Sequence, residues 1–290
     1  MAEVFAQVPW LLPLCLLTVG LCVGSFLNVV IYRLPIMMEN RWRRDCCELL
    51  EVEAEKEESA LNLATPNSHC PKCGNPIRPW QNIPVISYVL LGGKCGNCAA
   101  PISLRYPAVE LATGLGTLAL GWHFGVSPAL LGAMLLTWSL LALAMIDIDH
   151  QLLPDNITLP LLWLGLAFNV WETYAPLADA VIGAMAGYLL LWGIYWLFKL
   201  ATGKEGMGYG DFKLLGALGA WMGWQSLHMI IILSSVVGII FAVALMVIKQ
   251  RDKDVPIPFG PYLAAAGWIA FLWSDTLMSR FPLLDVWLTR

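Results

Sequence analysis

The chain has 290 residues, of which 58% are hydrophobic and 13% charged, with 14 tryptophans and a mean hydropathy of +0.67. A soluble domain carries roughly 25% charged residues, and a water-soluble fold of this size has no interior large enough to hide so much apolar surface. These figures exclude a soluble globular fold, a disordered chain, a collagen and a disulfide scaffold, and the net charge of -4 offers no basic face, so no nucleic-acid partner is expected.

Taken in chain order, apolar runs suited to a bilayer, which takes about 20 mostly apolar residues to cross, lie near 10–32, 107–122, 129–146, 157–171, 177–200, 212–224, 227–248 and 262–273. They predict an all-α polytopic membrane protein with about eight transmembrane helices, for which the lipid bilayer is the solvent. The runs at 157–171 and 212–224 are short and bounded by Pro, Gly or polar residues, so they are expected to be tilted or partly re-entrant. The first run lacks a basic segment ahead of it and reads as a retained anchor at 1–32 rather than a cleaved signal peptide.

Basic residues orient the chain. Nine of the 17 Lys and Arg lie within 33–105, followed by Lys199, Lys204 and Lys213, then Lys249, Arg251 and Lys253. The intervening connections near 123–127, 172–176 and 225–228 hold none, and only Arg280 and Arg290 break the alternation. By the positive-inside rule, the basic connections are cytoplasmic and the N-terminus is periplasmic. Segment 33–105 is then a cytoplasmic domain between the first two spans, and 106–290 is a membrane-embedded domain. Its acidic stretch 45–59 reads as a solvated helix or a disordered surface.

Within 33–105, Cys70-Pro-Lys-Cys73 and Cys95-Gly-Asn-Cys98 form two CxxC pairs. Such spacing can place four thiolates tetrahedrally around Zn²⁺, and a closed four-ligand site is structural rather than catalytic. The reducing cytoplasm disfavours disulfides between them. Gly74 and Gly96 suit the tight turns of such knuckles. Cys15 and Cys22 read as packing residues in the first span.

Acids are costly in apolar helices and mark function. Asp147 and Asp149 follow directly on the run 129–146, with Asp155 just beyond Pro154, and Asp211 opens another span after Gly206-Met-Gly-Tyr-Gly. Two carboxyl groups from different spans can share one proton. The ionised partner then activates water while the protonated one polarises a carbonyl. A proton-coupled transporter is an alternative use of the same acids, and a non-enzymatic assembly factor that holds partners through the zinc domain is another. Asn28 and Glu110 are expected to cap or bridge helices. Gly114-Leu-Gly-Thr-Leu-Ala119 matches a dinucleotide pattern formally but lies in an apolar run, where small residues serve helix packing.

In their order and membrane setting, these elements resemble the type IV prepilin peptidases, polytopic aspartic proteases of the GxGD class. The resemblance rests on Gly24-Ser-Phe-Leu-Asn-Val-Val-Ile-Tyr-Arg-Leu-Pro35, the tetracysteine segment, Ile83-Pro-Val-Ile-Ser-Tyr88, Arg105-Tyr-Pro-Ala-Val-Glu110, Asp147-Ile-Asp-His-Gln-Leu-Leu-Pro-Asp155, Gly208-Tyr-Gly-Asp211 and Pro258-Phe-Gly-Pro-Tyr262. It implies that Asp211 and one acid of the first motif are catalytic. Asp147 and Asp149 would point about 200° apart on a continuing helix, so one cannot replace the other. The family pattern sets the first acid seven residues before the proline, a spacing met by Asp147 and Pro154. The resemblance further implies a bacterial inner-membrane enzyme that cleaves prepilins and type II secretion pseudopilins after the glycine ending their leader, at the cytoplasmic face. It also implies N-methylation of the exposed residue with S-adenosylmethionine as methyl donor, at residues left unassigned.

Overall fold

The computed structural model describes residues 8, 10–52, 61–249 and 258–280. Helix α1 (Leu11–Leu49) starts in the first apolar run but does not end near Tyr32, where the first span was expected to stop. Pro35 lies inside it, and beyond that point Glu39 and Arg43, Arg41 and Asp45, and Arg44 and Glu48 are each spaced four residues apart, a pattern that supports a solvated helix. The acidic stretch thus begins on an exposed helical end, and its residues 53–59 lie outside the described residues. Cys15 and Cys22, read as packing residues, are exposed.

The chain divides into two compact units, 1–126 and 127–290. In the first, a short helix α2 (Ile86–Leu90) precedes α3 (Arg105–Phe124). Helix α3, grouped by sequence with the segment that follows it, packs along α1. Small residues permit the approach: a Cβ on Gly20 would stand 2.8 Å from the Gly114 Cα, and one on Gly24 would stand 2.7 Å from the Glu110 Cα. Gly114 therefore serves helix packing. Asn28 bridges the pair by donating from Nδ2 to the Tyr106 carbonyl at 3.1 Å.

The second unit holds α4 (Pro128–His150), α5 (Asp155–Asn169), α6 (Leu177–Thr202), α7 (Tyr209–Met222), α8 (Leu227–Lys249) and α9 (Gly260–Arg280). At 14 residues, α7 reaches only about 21 Å. Phe212 and every residue from Leu214 to Trp221 are buried, as befits an interior helix that is apolar on all sides. Its shortness is thus the geometry of a core helix wrapped by its neighbours. Helix α6 meets it at glycines, where a Cβ on Gly187 would stand 2.6 Å from the Leu215 carbonyl oxygen. On the α5 side, Gly165 leaves room for the Trp221 ring, whose Nε1 donates to the Leu161 carbonyl at 2.8 Å. Helix α9 joins α4 through Trp268 Nε1, which donates to Thr137 Oγ1 at 2.9 Å.

Each expected run coincides with one of α1 and α3 to α9. Among the described residues, four segments, Leu11–Leu49, Pro128–His150, Leu177–Thr202 and Trp224–Phe241, are long and apolar enough to cross a membrane. No strand occurs among the described residues.

Fully buried Asn169 fastens the end of the second unit away from the acids. Its Nδ2 donates to the carbonyls of Ala220 and Trp221 at 2.9 and 3.0 Å, and its Oδ1 accepts from Tyr174 and Ala175 at 3.0 and 3.1 Å. Unpaired buried backbone groups cost about 1–3 kcal/mol each. Asn169→Ala is therefore expected to lower stability by about 2 kcal/mol or more, measured as the unfolding midpoint in detergent.

Candidate active site and metal centre

Asp147 lies in the last turn of α4, which ends where Gln151 adopts a left-handed conformation and donates its N–H to the Asp147 carbonyl at 2.9 Å. The chain then turns through Leu153 and Pro154 into α5. Asp211 lies in the first turn of α7. Both side chains are buried, at 5% and 6% exposure.

Leu153 is the hub of their arrangement. A Cβ on Gly210 would stand 2.7 Å from Leu153 Cβ, and one on Gly260 would stand 3.1 Å from Leu153 Cδ2 and 2.6 Å from Asp147 Oδ2. The end of α4 and the starts of α7 and α9 converge here because two of these positions carry no side chain. The Gly260 N–H donates to Asp147 Oδ2 at 3.0 Å, so the positive end of α9 faces the carboxylate. Asp211 Oδ1 is buried with no hydrogen-bond partner among the described residues, while its Oδ2 lies beside Gly208. The two carboxyl groups are close enough to act on each other electrostatically. Such a pair can share a proton and handle a water and a carbonyl together.

The other acids sit elsewhere. Asp149 is exposed on a different side of α4 from Asp147, and Asp155 forms an ion pair with Lys213, with Nζ at 2.7 and 2.8 Å from its two oxygens. Half-exposed, that pair contributes little stability, but it ties the start of α5 to α7 two residues past Asp211. Buried Tyr195 of α6 packs on Tyr209 and Phe212 at ring distances of 5.3 and 5.6 Å, which fixes the glycine-rich entry to α7. Gly260 is a site residue to which sequence reading gave no role. It is 113 residues from Asp147, and its sequence signal was a glycine followed by Pro261, a pairing suited to a helix start.

In the first unit, the Sγ atoms of Cys70, Cys73, Cys95 and Cys98 all lie within 4.8 Å of one another. The two knuckles repeat one fold: Cys70 N–H donates to the Asn75 carbonyl and Gly74 N–H to that of Cys70, as Cys95 does to Ala100 and Ala99 to Cys95. Gly74 takes φ +67°, as expected of it, but the matching position in the second knuckle is Ala99 at φ +56°. The expectation that Gly96 supplies that turn is corrected, since the left-handed residue stands just after the second cysteine in both knuckles. Backbone hydrogen bonds from Cys98 and Asn97 pull the Cys95 thiol down to about 6, and those from Asn75 and the Asn97 side chain lower Cys73. Against a hydrogen bond from Ala100, burial and the neighbouring thiols push Cys98 up to about 11. Four converging thiols with donors aimed at them can hold a metal ion that prefers thiolates.

Residues 18–124 match the bacterial peptidase A24 N-terminal domain, and residues 134–243 match the type IV leader peptidase family. The chain belongs to the type IV leader peptidase family. It is 55% identical over 279 residues to a prepilin leader peptidase/N-methyltransferase of Pseudomonas aeruginosa, covering 96% of both chains. It is 52% identical over 277 residues to the one from Aeromonas salmonicida, covering 95% of both. It is 47% identical over 291 residues to the one from Neisseria gonorrhoeae, covering 100% of this chain and 99% of the relative. No solved structure matches the chain.

Two outcomes are expected. Gly260→Ala displaces the Asp147 carboxyl and presses on Leu153, so leader cleavage falls about 10²-fold and the unfolding midpoint in detergent drops. Cys70→Ser removes one thiolate, so metal content by elemental analysis of the purified chain drops from one ion per chain towards none.

Proposed function

We propose that Asp147 and Asp211 are the catalytic pair with which this member of the leader peptidase family cleaves prepilins and pseudopilins after the glycine that ends their leader. The observation that carries the reading is the meeting of these two buried carboxyl groups around Leu153, at one end of an apolar helix bundle. One proton is shared by the pair. The ionised carboxylate takes a proton from a water as its oxygen attacks the scissile carbonyl carbon, and the protonated carboxyl donates to the carbonyl oxygen. Collapse of the tetrahedral adduct breaks the C–N bond, the departing nitrogen takes a proton from the pair, and the new carboxyl group leaves with the leader. The Gly260 N–H keeps Asp147 in one orientation throughout.

The chain further N-methylates the residue so exposed. S-adenosylmethionine supplies an electrophilic methyl group when bound, and the residues that hold it are not assigned. Cys70, Cys73, Cys95 and Cys98 hold a structural Zn²⁺, whose preference for four tetrahedral thiolates suits this donor set. Eight helices cross the bacterial inner membrane with the N-terminus periplasmic, and Lys199, Lys204 and Lys213 put the Asp147 end at the cytoplasmic face. That depth suits a substrate whose basic leader stays in the cytoplasm while its apolar stem lies in the bilayer. Segments 1–32, 33–105 and 106–290 serve as anchor, zinc domain and protease.

The test uses the purified chain in detergent with a prepilin and radiolabelled methyl donor. Asp147→Asn and Asp211→Asn should each abolish cleavage, and label should enter only cleaved pilin. Wild-type cleavage by either variant contradicts the pair.

A further inference from the structure

The tetracysteine domain carries apolar surface that none of its described residues covers. On α2, Ile86, Val89 and Leu90 are 57%, 70% and 74% exposed, and at i, i+3 and i+4 they form one stripe about 100° wide. Ser87, on the other side of the helix, is buried. Trp80 and Ile83 just ahead of the helix are also exposed, as is Leu104 at the entry to α3.

A second observation fixes where this stripe lies. The N–H of Val85, the residue before α2, donates to Oε2 of buried Glu110 at 2.7 Å. Glu110 is five residues into α3 from Arg105, a rise of about 7.5 Å along the helix. The start of α2 is therefore held level with a point inside α3 rather than beyond its end. Val85 takes φ +60° and ψ -48°, a strained conformation for a β-branched residue, in a three-residue turn closed by Ile86 N–H to the Pro84 carbonyl. Such a turn persists only where its surroundings impose it, and the Glu110 carboxylate holds the N–H of its central residue. At the other end of α2, Tyr88 Oη donates to the Ile102 carbonyl at 3.4 Å, again close to the start of α3. Charge supplies a third observation: residues 61–105 contain Lys72, Arg78, Lys94 and Arg105 and no acid.

We propose that the tetracysteine domain is an interfacial membrane anchor: α2, with Trp80 and Ile83, lies in the headgroup layer of an anionic bilayer, and Glu110 is the positioning residue that holds it there. The proposal rests on α3 crossing the membrane. Interfacial helices bury their apolar face about 5–10 Å into the headgroup boundary, the depth that the Glu110 contact sets. Tryptophan at that level and the exposed basic side chains of Arg78 and Lys94 beside it, facing anionic headgroups, complete the pattern.

The full chain is reconstituted in vesicles of phosphatidylethanolamine and phosphatidylglycerol with a photoreactive benzophenone amino acid at one position at a time. Position 89 tests the anchor, position 115 on the exposed side of α3 tests the span, and position 72 on the exposed part of the zinc domain is the aqueous control. Positions 89 and 115 should both attach to phospholipid, and position 72 should not. With Glu110→Ala in the same chain, attachment at 89 should fall to the level at 72 while 115 is unchanged. Labelling at 115 without labelling at 89, or crosslinks from 89 only to protein, whether the same chain, a second copy or added prepilin, overturns the anchor and leaves the span intact. Loss of labelling at 115 in the parent chain overturns the span and the anchor with it. Unchanged labelling at 89 in Glu110→Ala overturns the role of Glu110.

Discussion

Burying a carboxyl group among apolar helices is costly unless something answers its charge or hydrogen-bonding capacity, and this constraint organises the second unit. Asp147 is answered by the start of α9, through the Gly260 N–H. That one contact requires α9 to begin where α4 ends, and it leaves no room for a side chain at residue 260. Leu153 fills the space between, so Gly210 must also lack a side chain, and the entry to α7 is drawn to the same place. Asp211 follows one residue later, with an oxygen that no described group answers. In the proposed mechanism that oxygen is the one open to water and the scissile carbonyl.

Glycine has a parallel role far from the acids. Gly183 and Gly187 of α6 and Gly165 of α5 let the neighbours of α7 close on it, and Gly20 and Gly24 do the same for α1 against α3. Between apolar helices in lipid, hydrophobic burial does not favour one neighbour over another, so close packing and occasional hydrogen bonds decide the arrangement. The Asn169 knot and the Trp221 indole add those hydrogen bonds at the end opposite Asp147. The second unit is thus fastened at one end and carries the proposed catalytic pair at the other.

The helices were readable because long apolar runs carry their own signal, and each run became a helix. Their ends were less so. Tyr32 looked like a boundary because polarity rises there, yet α1 continues on charge-spaced helical residues to Leu49. The short run at 212–224, bounded by glycine and polar residues, reads as tilted or partly re-entrant, but nothing in it signals that Phe212 and Leu214 to Trp221 are buried, because that depends on which helices pack around α7. In the sites, the thiols and acids were legible by residue type and spacing. Gly260 and the pairing of Glu110 with Val85 were not, because each depends on a contact between elements distant in sequence. In the second knuckle Ala99 rather than Gly96 holds the turn, because position after the second cysteine decides the conformation.

On the proposed mechanism, Asp147 and Asp211 act together on one peptide bond. The most direct test is an experimental structure of the chain in a lipid nanodisc with an uncleavable prepilin bearing a reduced bond at the leader junction. The junction should lie between the two carboxyl groups, within hydrogen-bond reach of both, next to Gly208 and Gly260. A junction held against Asp149 or Asp155, or touching only one of the pair, would contradict it.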